Sequence, residues 1–215
     1  MSLRQDVHLH SNFSDGENSI EEIAQATIKL GLKQIAFTDH VRRNTKWLNK
    51  YIEEIKRIQK KYPQIKIYSG IEAKVIDLKG NIDAKKEFFK KVDLINGVFH
   101  RIPKGEEEYL SQEEILLDKR RAFELWYQAM MKLLENKNVK IIGHPGAILK
   151  RYKIKFPNWA KEKIAKKTKR FNKIFEINKK FGVPDGEFLK ILKKNKVKFS
   201  YGSDSHSIEE FKKYH

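Results

Sequence analysis

Short apolar runs alternate with longer stretches whose apolar positions recur every three or four residues, from one end of the chain to the other. The short runs, at 5–10, 34–38, 65–69, 92–98, 139–142, 171–177 and 197–201, are too brief for helices and read as buried strands. The longer stretches, near 19–31, 45–62, 83–91, 111–135, 157–169 and 185–195, carry the spacing of amphipathic helices. Two of them open on a capping box, Ser19 with Glu22 and Ser111 with Glu114, in which each side chain satisfies a free amide of the first turn. Pro63, Gly80, Gly143 and Gly182 fall between elements, as breakers should.

Seven β/α units with no break in composition imply parallel strands joined by right-handed crossovers, either closed into a barrel or wound as an open sheet. The polar residues choose between these. Each strand delivers chemistry at its carboxyl end: His8 and His10, Asp39-His40, Glu72, His100, His144, Glu176 with Asn178, and Asp204 with His206. A barrel gathers all its strand ends on one face, whereas an open sheet gathers only those beside its switch point. The expectation is therefore an α/β fold, a distorted (β/α)7 TIM-like barrel, with residues 1–215 as a single domain.

Composition narrows the chemistry. At 215 residues the chain can bury roughly 70% of its unfolded surface in one core. It contains no apolar run long enough for a membrane span and no basic-then-apolar opening, so a cytoplasmic protein is expected. Zero cysteines leave only nitrogen and oxygen as metal ligands. The net charge of +18 invites a nucleic-acid reading, but most of the excess is lysine spread along the outer faces of helices, as at 53–57 and 161–167.

Six of the seven histidines end predicted strands, and imidazole with carboxylate is the ligand set of zinc, manganese or iron. In His8-Leu9-His10 the two-residue period of a strand turns both rings to one side. A lone HxH is common, and a lone His100 or His144 is more often structural than a ligand. Combined with Asp15-Gly16, Thr38-Asp39-His40, Gly70-Ile71-Glu72, Gly143-His144-Pro145 and Gly202-Ser203-Asp204-Ser205-His206, they make a specific pattern.

These motifs, the HxHSxxSDG opening, TDH, GIE, a strand ending in His, GHP, EIN and a final GSDSH, resemble in kind and order those of the PHP (polymerase and histidinol phosphatase) phosphoesterases. The resemblance covers nearly the whole chain and implies a distorted seven-stranded barrel with two to three divalent ions. It assigns His8, His10, Glu72 and Asp204 to one ion, and Glu72 with His100 and His144 to a second. Asp15, His40 and His206 would hold a third. Such a cluster lowers the pKa of a shared water from about 15.7 to roughly 7, so that hydroxide attacks phosphorus without a protein nucleophile.

Glu72, Asp15 and Arg101 are the side chains expected to serve the reaction most directly. Arg101 directly follows His100, and a planar guanidinium there would grip two phosphoryl oxygens. Arg42, Arg43, Lys74, Lys150 and Arg151 also follow ligand motifs and read individually as solvated charges. Asp39 is expected to orient a ligand or cap a loop, and Asn178 to face substrate or cap a turn. Residues 207–214 hold room for only one short helix, which would leave the last strand partly uncovered or protected by a partner subunit. The expected function is hydrolysis of a small phosphate monoester, as in histidinol phosphatase. The alternatives are an exonuclease or nucleotide phosphoesterase acting on nucleic acid, and a metal-stabilised scaffold without turnover.

Overall fold

The computed structural model describes residues 4–215. Its seven strands are β1 (Gln5–Leu9), β2 (Gln34–Phe37), β3 (Lys66–Lys74), β4 (Leu94–Val98), β5 (Ile141–Ile142), β6 (Ile174–Asn178) and β7 (Lys198–Gly202). All neighbours pair in parallel, and their order in space follows their order in the chain. The first and last strands close the ring just past their ends. The Asp204 amide donates to the His8 carbonyl at 2.9 Å and the His10 amide to the Ser205 carbonyl at 3.1 Å. The α/β barrel expected from the sequence is thus the fold found.

Its distortion begins in β3. Residues 66–69 pair with β2, whereas 70–74 pair with β4, so the strand changes partner midway and runs on past its expected end at 69. Gly70 permits the change, because a Cβ there would lie 2.9 Å from the Phe37 carbonyl oxygen. Glu72 therefore sits inside a strand, with backbone hydrogen bonds to Asp39 and Val41 on one side. Two strands further on, β5 shrinks to Ile141–Ile142.

The helices are α1 (Ile20–Lys29), α2 (Leu48–Lys61), α3 (Gln112–Leu117), α4 (Lys119–Leu133), α5 (Ala147–Arg151), α6 (Asn158–Arg170), α7 (Gly186–Lys194) and α8 (Ile208–Tyr214). Both capping boxes form. Three expectations fail locally. The helix expected over 83–91 is one 3-10 turn, Lys86–Lys90. The segment 111–135 breaks at Asp118, whose side chain accepts the Arg121 amide and caps a new helix. The last strand is not left uncovered: Phe211 of α8 is buried, and the Tyr201 hydroxyl donates to the Tyr214 carbonyl at 3.0 Å.

Apolar helix faces pack on the barrel's outer wall through Trp126, Met130, Leu133, Ile164 and Phe188, all buried. Each such side chain contributes about 1.5–3 kcal/mol by leaving water. The carboxyl end of the barrel interior is different, for His8, His10, Glu72, Asn96 and Glu176 are equally buried there. No helix among the described residues is long and apolar enough to cross a membrane.

Candidate metal centre

The strand ends converge on Glu72. Its Oε1 lies 3.2 Å from His8 Nε2, 3.0 Å from His144 Nε2 and 3.5 Å from His100 Nε2. Its Oε2 lies 2.5 Å from His40 Nδ1 and 3.8 Å from His10 Nε2. Asp204 Oδ1 approaches His10 Nε2 at 3.0 Å and His8 Nε2 at 3.6 Å. On the outer side, Asp15 stands 3.4 Å from His40 Nε2 and 3.5 Å from His206 Nε2.

The structure thus brings together every histidine and carboxylate named as a ligand from the sequence. Three groups could each hold an ion: His8, His10 and Glu72; His40, Glu72 and His100; and His10, Asp15, His40 and His206. These differ in detail from the sets implied by resemblance. His10 faces two groups, and His40 joins His100 beside Glu72. His144 also approaches Glu72, with its ring stacked 5.5 Å from that of His100.

His144 Nε2 and Glu72 Oε1 are hydrogen-bonded at 3.0 Å, but most of the other short approaches are not hydrogen bonds. His8 Nε2, both ring nitrogens of His10 and Glu72 Oε2 are buried without a hydrogen-bond partner. A buried polar atom left unpaired costs about 1–3 kcal/mol, and four at one point fit the ligand set of a cation. The donors are nitrogen and carboxylate oxygen, suited to zinc, manganese or iron.

The electrostatics point the same way. Burial alone would raise the pKa of Glu72, but the His100, His8 and His40 imidazoles hold its carboxyl well below the usual range. Asp204 is likewise lowered, by His8 and His10 against the effect of burial. Burial pushes His10 down to about 4, which keeps its nitrogens free to bind metal at neutral pH. His8 goes the other way: burial lowers it, but Glu176, Glu72 and Asp204 together raise it well above its ordinary value.

Glu176 received no role from the sequence and carries much of the arrangement. Fully buried on β6, it accepts the proton on His8 Nδ1 at 2.6 Å and also accepts the His144 backbone amide. The first bond turns His8 Nε2 toward Glu72, since the hydrogen bond of one ring nitrogen fixes the task of the other. The second braces His144 at φ 27°, a left-handed backbone that costs about 1–3 kcal/mol in a non-glycine residue. Gly202 makes room for this carboxylate, because a Cβ there would lie 2.0 Å from Glu176 Oε1. The signal in the sequence was the acidic residue at an inward position of a strand ending beside the cluster.

Asp39 caps a loop and orients no imidazole. It accepts the Ser11 amide at 2.8 Å and the Ser11 and Ser14 hydroxyls at 2.9 and 2.7 Å, fixing the turn that carries Asp15. Burial pushes its carboxyl up to about 6 against those hydrogen bonds. Asn178 Oδ1 accepts the Phe181 amide and serves the turn after β6.

Two cavities flank the cluster. One of about 550 Å³ holds His40, His100 and His144 with Phe99, Ile148, Phe181, Lys150, Arg151 and Lys180. The other, of about 400 Å³, holds Asp15, His40, Glu72 and His100 with Arg42 and Lys74. Arg101 lines neither; its guanidinium lies over the Tyr109 ring, 5.8 Å from the centroid.

Comparison with known proteins adds four findings. The family model described as PHP domain matches residues 6–181. A probable phosphatase of Caldicellulosiruptor saccharolyticus is 30% identical over 217 residues, 96% of this chain and 81% of the relative. The DNA polymerase/3'-5' exonuclease PolX of Bacillus subtilis is 27% identical over 96% of this chain but only 35% of its own length. Among solved structures, the histidinol phosphate phosphatase of Lactococcus lactis subsp. lactis, complexed with zinc, L-histidinol and phosphate, shares the fold at a TM-score of 0.69. It is 22% identical and aligns over 98% of this chain and 92% of that one.

Proposed function

This chain belongs to the PHP domain family and is a hydrolase of phosphate esters, and from that premise we propose that it is a metal-dependent phosphomonoesterase of small substrates. The observation that carries the reading is the set of unpaired imidazole nitrogens around one buried carboxylate, beside a cavity of substrate size with cationic walls. We assign His8, His10, Asp15, His40, Glu72, His100, His144, Asp204 and His206 to two or three ions, with zinc, manganese or iron suited to the donors. We propose further that the chain acts as one domain, in the cytoplasm, residues 1–3 of the expected 1–215 lying outside the described residues.

When bound, such ions supply Lewis acidity, which makes water acidic enough to attack phosphorus near neutral pH and offsets charge on the phosphoryl oxygens. The chain's own residues do the rest. Glu72, ionised at the centre, keeps the ligand groups in register. Glu176 fixes the tautomer of His8, and Asp39 holds the loop that presents Asp15 at the cavity mouth. Lys150 and Arg151 on one side and Arg42 on the other make both approaches to the cluster cationic, which draws anionic esters in.

A second reading, hydrolysis of a phosphodiester in nucleic acid, is favoured by the PolX likeness and by the +18 charge. Metal-loaded protein assayed on p-nitrophenyl phosphate and bis-p-nitrophenyl phosphate separates the two. We expect faster turnover of the monoester; a clear preference for the diester would install the second reading instead.

A further inference from the structure

Charge on the walls of the larger cavity bears on what the ester carries. Besides His40, His100 and His144 from the cluster, its lining holds three cations, Lys150, Arg151 and Lys180, and no carboxylate. Lys180 is neutralised: its ammonium donates to Glu210 at 3.0 Å and to the Asp204 carbonyl at 2.9 Å. Lys150 is held at 2.7 Å by the Phe181 carbonyl and at 3.3 Å by that of Gly182, neutral acceptors that fix the ammonium and leave its charge uncompensated. Arg151 has no ion-pair partner among the described residues. The remaining walls, Phe99, Ile148 and Phe181, are apolar.

We infer that the ester hydrolysed here carries a second anionic group, a phosphate or carboxylate, on its leaving group, held by Arg151 and Lys150 a short apolar span away from the metal face. This rests on the phosphomonoesterase reading. A leaving group bearing an ammonium, such as that of histidinol phosphate, would meet two uncompensated like charges and no carboxylate to receive it. A neutral leaving group would fill the apolar wall but leave both cations without a partner. Arg151 suits the task because its fork can bind two oxygens of one anion.

Four esters of similar size test this on the metal-loaded protein: propyl phosphate, O-phosphoethanolamine, phosphoglycolate and ethane-1,2-diyl bisphosphate, with p-nitrophenyl phosphate as reference. At low ionic strength we expect kcat/KM for at least one of the two doubly anionic esters to exceed that for propyl phosphate about tenfold, roughly 1.4 kcal/mol, with phosphoethanolamine slowest. Which anionic ester leads tells carboxylate from phosphate. The preference should shrink in high salt, where exposed charges are screened, and the anionic-to-neutral ratio should collapse in Arg151→Gln and in Lys150→Gln. Equal rates for all four esters, a preference for the cationic one, or an undiminished ratio in both variants overturns the inference while leaving the phosphomonoesterase intact. Failure to hydrolyse even p-nitrophenyl phosphate removes the function itself, and the inference with it.

Discussion

The two halves of the ligand cluster are built differently. His8, His10, Glu72 and Asp204 are buried, and Glu176, fully buried on β6, braces His8. Asp15, His40, His100 and His206 sit on loops at the rim, with side chains between 27% and 53% exposed. The inner half is held by ladder hydrogen bonds and packing, so its geometry exists before any ion arrives. The outer half depends on loops, one of them fixed by Asp39 and two serines, and it opens on both cavities. A rigid inner site and an adjustable outer one let a protein keep ions tightly while exchanging substrate beside them.

Glu72 belongs to both halves, so its loss should have the largest effect. Glu72→Gln keeps the volume and removes the charge that faces five imidazoles; we expect kcat/KM to fall about a thousandfold or more, roughly 4 kcal/mol, together with loss of bound metal. Steady-state kinetics and elemental analysis of the folded variant check this.

Glu176→Gln probes the inner half alone. A glutamine must turn its NH2 group toward one of the two donors that Glu176 now accepts, His8 Nδ1–H or the His144 amide. Metal affinity, measured by competition with a chelator, should fall about 10- to 100-fold, the usual cost of losing a ligand's supporting hydrogen bond. Parental affinity with a lowered melting temperature would reduce Glu176 to a packing residue.

His100→Ala probes the outer half and should be milder. One ion fewer per chain is expected, with activity partly restored by excess metal in solution, because the inner ligands remain. If His100→Ala strips all the metal, the halves are not independent.

The pH dependence sharpens the contrast. In the ion-free protein His40 and His144 are raised, burial lowering them but Glu72 raising them more, and His8 is raised well above 6.5 by its carboxylate neighbours. A metal ion must displace those protons, so affinity should weaken as pH falls through these raised values, by about tenfold per pH unit for each proton released. His10, at about 4, contributes nothing in that window. Titrations at pH 6 and pH 8 give the slope, and a flat profile would mean that these rings bind no ion.

Strand alternation made the barrel legible in the sequence, and the order of motifs picked out the residues that converge on Glu72, because both depend on local spacing. Elements set by tertiary contacts were not. The extension of β3 through Glu72 depends on a change of strand partner, and the break at Asp118 on a cap inside an otherwise unbroken helical pattern. Adjacency in sequence says little about side-chain direction: Arg101 follows His100 and lies over Tyr109, whereas Arg151, seven residues past His144, reaches the cavity. Glu176 was visible as a residue but not as a support, since its partners come from β1 and the turn after β5, far apart in the chain.

The central claim is that this cluster is a metal centre that hydrolyses phosphate monoesters. Its most direct test is stepwise reloading of chelator-stripped protein with zinc or manganese, following bound ions and p-nitrophenyl phosphate hydrolysis together. The account predicts no activity in the stripped protein, a first ion bound tightly, and activity that reaches its plateau at two to three ions per chain. Undiminished activity after stripping, or fewer than one ion bound per chain after reloading, would contradict it.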